Sequence, residues 1–146
     1  MRTLSKFLKF LRLAAVLGAG VLSSGAGHGA DKPIVIGFAI AESGWLHNYD
    51  AAPFRAAVMK IDEINKAGGL LGREVKYRVL DTKTERERSA SAGAELVQSG
   101  VDMLVVSCDY DFGAPAALAA QKAKIISMSL CAADPKMGVQ GVGNFA

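Results

Sequence analysis

Residues 34–49 read Ile34-Val35-Ile36-Gly37-Phe38-Ala39-Ile40-Ala41-Glu42-Ser43-Gly44-Trp45-Leu46-His47-Asn48-Tyr49. The first seven form an almost unbroken apolar run rich in β-branched side chains, the pattern of a strand buried on both faces in a parallel sheet covered by helices. Polar and aromatic groups then arrive together. In open α/β sheets ligands sit outside the carboxyl ends of the strands, so Glu42 to Tyr49 is the first place to look for a site.

Downstream, the chain alternates helix and strand. Asp50 is placed to cap a helix, Pro53 falls in its first turn, and Phe54, Ala57, Val58, Ile61 and Ile64 recur at helical spacing until Gly68-Gly69. Val75, Tyr77 and Val79 alternate with Glu74, Lys76 and Arg78, as expected of an edge strand with one wet face. Thr84 and Glu87 have the spacing of a capping box, opening a helix expected to pack through Ala90, Gly93, Ala94 and Val97. A third strand over Met103–Ser107, a small-residue helix from about Pro115 to Lys122 and a fourth strand over Ile125–Ser129 complete the series. Repeated strand-helix units predict an α/β fold with a parallel sheet and flanking helices.

The first thirty residues stand apart from that pattern. Arg2, Lys6, Lys9 and Arg12 precede an apolar run from Leu13 to Leu22, followed by the small residues Ser23 to Ala30. This is the layout of a secretory signal, cleaved after Ala26 or Ala30, and its apolar part is too short to span a bilayer comfortably. Removing those four cations from seventeen leaves thirteen against fourteen acids, a net charge of −1. The pI near 9.0 therefore belongs to the export segment and gives no nucleic-acid footprint. At the other end, Gly138 to Ala146 offers no closing helix, strand or charged tail, as expected of a fragment with an unfinished sheet.

The familiar catalytic patterns fail in turn. Gly68-Gly69-Leu70-Leu71-Gly72 lies between a helix and a strand, the reverse of a dinucleotide turn, and no phosphate loop follows any strand. No nucleophile elbow accompanies His47. Cys108 and Cys131 lack a His partner at zinc spacing, so neither a metal nor a cofactor is expected. Those two cysteines follow neighbouring strands in an exported protein, which leaves either a disulfide or two free thiols lining a crevice. What the strand tips do share is Trp45, Tyr49, Tyr110 and Phe112 beside Ser43, Asn48, Asp109 and Asp111, a mixture suited to a small polar organic molecule.

Taken together, the export signal, Ile34-Val35-Ile36-Gly37, Ser43-Gly44, Tyr49 and the stretch Ile61-Asp62-Glu63-Ile64-Asn65-Lys66-Ala67-Gly68-Gly69-Leu70-Leu71-Gly72-Arg73 resemble the periplasmic solute-binding proteins of branched-chain amino acid and amide ABC transporters. The N-x-A-G-G-x-x-G run at the end of the first helix is the most specific part. The resemblance implies a Rossmann-like lobe 1 of a type I periplasmic binding fold, incomplete here. Residues 1–30 would be the signal peptide and residues 31–146 a partial N-terminal lobe. It further implies a periplasmic protein, monomeric when full length, that captures a small-molecule solute without catalysis or cofactor. Its partner would be a membrane permease, not nucleic acid.

The strand-tip cluster puts Ser43, Trp45 and Tyr110 around the ligand, and the resemblance, position by position, adds Tyr49, Asp109, Cys131, Ala132 and Ala133. Tyr49 matches a tyrosine that packs over it. Asp109 falls where amino acid binders have a serine for the ligand carboxylate, and Cys131, Ala132 and Ala133 fall where a backbone amide and a threonine hydroxyl complete that grip. An aspartate there opposes a second carboxylate, and Ala133 removes a donor, so an amide, amine or neutral aromatic solute is expected at least as much as an ordinary α-amino acid. The alternatives are a receptor's sensing module of the same fold and a haloacid-dehalogenase-type phosphatase. The phosphatase would use Asp109 as nucleophile and Asp111 as acid/base. Against it, Gly113 stands where that loop usually carries Thr or Val.

Overall fold

Phe38 and Ile40 point to one side of the first strand and Ala39 to the other, and all three are at most 1% exposed. That double burial defines the sheet. In the computed structural model, which describes residues 32–131 and 134–139, the four strands are β1 (Ile34–Ile40), β2 (Val75–Asp81), β3 (Met103–Val106) and β4 (Ile126–Ser129). All pairs are parallel, in the order β2-β1-β3-β4. Helix α1 (His47–Lys66) covers one face, and α2 (Arg86–Gln98) and α3 (Tyr110–Lys122) cover the other. A four-residue helix, α4 (Lys136–Val139), follows β4. The expected export segment, Ala132 and Ala133 lie outside the described residues.

Two cores result. Phe38, Ile40, Ile61, Val75 and Val105 pack beneath α1, while Ala39, Leu96, Leu104, Val106 and the alanines of α3 pack beneath α2 and α3. Each fully buried Phe, Leu, Ile or Val contributes about 1.5–3 kcal/mol relative to exposure. The α2–α3 seam depends on Gly93, since a Cβ there would lie 2.6 Å from the Cα of Ala116. At the end of α1, Asn65 imitates a strand neighbour. Its side chain accepts from the Val75 N–H and donates to the Val75 carbonyl, both at 2.8 Å, and so fixes where β2 begins.

Several sequence expectations shift. Helix α1 starts three residues earlier than Asp50, and Leu46 at its N-cap makes no side-chain bond, so Asp50 caps nothing and is instead wholly buried. The capping box at Thr84 does not form. Thr84 takes a left-handed φ of 58° and its hydroxyl donates to the Ser43 carbonyl at 3.0 Å, leaving α2 to begin at Arg86. The buried face of α2 is Ser89, Ala92, Gly93 and Leu96, with Ala90 exposed. Helix α3 begins at Tyr110, not Pro115, because Asp109 caps it, and of the stretch from Gly138 to Ala146 all beyond Val139 lies outside the described residues. The rim position of β2 is as expected, with Tyr77 standing edge-on to Phe38 and Phe54.

Candidate functional site

The chain leaves β1 through α1 to reach β2 on one side, then returns across β1 to build β3 on the other. Between the carboxyl ends of β1 and β3 the connections diverge to opposite faces. This switch point opens a crevice. Its floor is Asp50, reaching back from the first turn of α1. The Ala41 N–H at 2.9 Å, the Cys108 N–H at 3.1 Å and the Ser107 hydroxyl all donate to its carboxylate. One buried side chain thereby ties the tips of β1 and β3 together. The Ser129 hydroxyl extends the tie to β4 by donating to the Ser107 carbonyl at 3.0 Å.

Above that floor, Trp45, Leu46, Tyr49, Cys108, Asp109 and Cys131 line a concavity of about 220 Å³. Trp45 and Tyr49 are 57% and 61% exposed, large figures for aromatic residues on an ordered turn. The Trp45 ring stands edge-to-face with Tyr49 at 6.3 Å and with Phe112 at 5.8 Å, so the three form a ladder along one wall. Asp109 is half-buried, and one of its oxygens accepts the Asp111 N–H at 2.8 Å as the cap of α3. A disulfide joins Cys108 to Cys131, Cα to Cα 4.8 Å, and links the loops after β3 and β4.

Not every expected site residue is found there. Ser43 faces away from the ladder, its hydroxyl donating to Asp81 at 2.6 Å. Asp81 also accepts the N–H groups of Glu42, Ser43 and Lys83. Partial burial pushes the Asp81 carboxyl up, but the Ser43 hydroxyl and those amides outweigh it and hold the group below the usual carboxylate range. Tyr110 packs against the core under α3, with the Lys136 ammonium 5.6 Å over its ring. The His47 ring nitrogen lies 3.3 Å from the Ala41 carbonyl. For the phosphatase reading, the acid/base candidate Asp111 is paired with Arg86 at 2.9 Å, and Asp109 gives one oxygen to its own helix.

A larger concavity of about 310 Å³ lies between α1 and the β1–β3–β4 face. Its walls are Phe38, Ile61, Met103, Val105, Met128 and similar side chains, with almost no polar group to orient a guest. It reads as sheet surface that no described helix covers. The smaller, aromatic crevice is therefore the candidate site.

A family model described as periplasmic binding protein matches residues 33–145. The chain belongs to that family. Among solved structures, the branched-chain amino acid transporter substrate-binding protein LivJ from Streptococcus pneumoniae, in complex with isoleucine, is 35% identical with a TM-score of 0.68 over 76% of this chain and 31% of its own. A putative branched-chain amino acid ABC transporter protein from Silicibacter pomeroyi is 26% identical, with a TM-score of 0.60, over 67% of this chain and 25% of its own. A substrate-binding protein from Desulfitobacterium hafniense, in complex with Leu, shares the fold at a TM-score of 0.62 and 20% identity, over 75% and 32% of the two chains. No curated protein matches. This periplasmic binding protein chain thus spans less than a third of each of these structures. Their fold agrees with the expected α/β lobe.

What sequence reasoning missed is Asp50. Its position ahead of the helical apolar spacing looked like a cap, and nothing in the neighbouring residues marked it as buried.

Proposed function

We propose that the whole protein is exported and, in the periplasm, captures a small polar solute, an amino acid or a related amide, amine or aromatic, for delivery to the membrane permease of an ABC transporter. The convergence of the loops after β1, β3 and β4 on one aromatic-walled crevice carries this reading. The 35% identity to LivJ, solved with isoleucine, supports it. Residues 31–146 supply part of one lobe, and residues 1–30 the export signal.

Binding here needs no chemistry. Trp45 and Tyr49 are exposed in the isolated lobe, and a second lobe closing over a bound solute would cover them. Contacts made only in the closed state then shift the equilibrium toward closure, and release at the permease reverses it. The disulfide holds the loops after β3 and β4 at one spacing, so less ordering remains to be done on binding.

A thermal-shift panel of amino acids, amides, amines and small aromatic solutes on the full-length mature protein tests the reading. At least one class should raise Tm with increasing concentration, by mass action, and be recovered unchanged. Conversion of the solute, or no shift from any class, would overturn it.

A further inference from the structure

We infer that the solute group seated against this lobe is a cation, held between the Trp45 and Tyr49 rings and the Asp109 carboxylate. This rests on the solute-capture reading and specifies its ligand.

Among the described residues, the crevice holds one carboxylate and no basic side chain. Of its lining residues Trp45, Leu46, Tyr49, Cys108, Asp109 and Cys131, Asp109 alone has a carboxyl group and none is Lys, Arg or His. Several features on the β3 and β4 side of the crevice that would draw an anion are already occupied. The amino end of α3 is capped by the Asp109 carboxylate itself, through the Asp111 N–H at 2.8 Å. The Cys108 N–H donates to Asp50 at 3.1 Å. Arg86 pairs with Asp111 at 2.9 Å, and the Lys136 ammonium lies over Tyr110 and 4.0 Å from Asp134. A ligand carboxylate beside Asp109 would meet a like charge with no cation between them.

The same walls suit a positive group. Only one Asp109 oxygen is used by the helix cap, and the other has no donor among the described residues. The indole of Trp45 and the phenol of Tyr49 meet nearly at right angles, 83° between planes, forming an open corner with a ring face available to an approaching ammonium. Trp and Tyr faces attract cations through their quadrupoles, more strongly as water is excluded, which is what a closing lobe would do. A solute with both charges would therefore place its ammonium here and its acidic group elsewhere.

Shape-matched triplets that differ in charge test this. 4-Methylpentylammonium, 4-methylpentanamide and 4-methylpentanoate share one skeleton, and benzylammonium, benzamide and benzoate another. Calorimetric titration on the full-length protein should show a cationic member binding at least tenfold tighter than its neutral and anionic partners. Asp109→Asn, which preserves a good helix cap and so the fold, should abolish that preference. An anionic or neutral member binding as tightly as its cation, or an unchanged preference in Asp109→Asn, overturns the inference. If neither cation binds while some other solute class does, the inference falls and solute capture stands. If nothing binds in either panel, both fall.

Discussion

Asp50 and Asp109 are two carboxylates of one cleft, opposite in circumstance. Asp50 is fully buried and accepts three donors from the tips of β1 and β3, so its capacity goes into the fold. Asp109 is half-buried at the rim, gives one oxygen to its own helix, and faces a wall of exposed aromatic rings. The difference lies in how many protein donors reach each group. A carboxylate whose acceptors are filled from within is architecture, and one with an acceptor turned toward an open aromatic corner is available to a guest.

The comparison breaks most directly at Asp50. Asp50→Ala leaves two buried N–H groups and one hydroxyl without an acceptor, and each such orphan costs about 1–3 kcal/mol. We expect a loss of about 3–5 kcal/mol in urea denaturation of the full-length protein. A loss below about 1 kcal/mol would show that the floor is not what ties β1 to β3.

Next comes the covalent link beside the rim. Denatured, unreduced protein should show no thiol from Cys108 or Cys131, and the Cys108→Ala/Cys131→Ala double variant should lose about 2–4 kcal/mol, as for a bridge closing a loop of this size. Two reactive thiols would return the pair to free groups lining the crevice. The rim itself predicts the opposite balance. Trp45→Ala should cost about 1 kcal/mol or less in stability, since the ring is largely exposed, while weakening solute binding tenfold or more, about 1.4 kcal/mol. A variant that unfolds but binds normally when folded would place Trp45 with Asp50 as structure.

Legibility in the sequence followed the same division. The strands announced themselves because burial on both faces demands continuous apolar runs, and β2 betrayed its edge position by alternating charges. The aromatic and acidic groups at the strand tips were visible as a cluster because all lie within nine residues of the strand end before them. Helix starts were less legible. Asp50 and Thr84 are both good cap residues by type, yet each is drawn to a longer-range partner, Asp50 to Ser107 and Cys108 and Thr84 to Ser43, and the helices start elsewhere. Local propensity is worth about 1 kcal/mol at a cap, less than filling three buried donors. Likewise Ser43 looked like a ligand contact because it follows β1, but Asp81, at the end of the neighbouring strand, claims its hydroxyl.

The smallest effect concerns that Asp81 cluster, which supports the rim from outside. Lys83 and Thr84 both hold left-handed φ values, 54° and 58°, an unfavourable pair for residues with side chains. They are held there in part by the Lys83 N–H donating to Asp81 at 2.8 Å and by Thr84 bonding the Ser43 carbonyl. Asp81 is held below its ordinary pKa, so its contribution is fully present above the unfolded value of about 3.9 and is lost as pH falls through the lower folded value. Wild type should therefore exceed Asp81→Asn in Tm at pH 6, and the gap should narrow once pH drops below about 4. Because the group is partly open to solvent, the gap should be modest and should shrink in high salt. A gap that stays constant from pH 6 to pH 3 would mean that the hydrogen-bonding shape of residue 81, and not its charge, sets the loop. Asp81 would then belong with Asp50 as a filled acceptor, and Asp109 would be left as the carboxylate of this cleft whose charge matters.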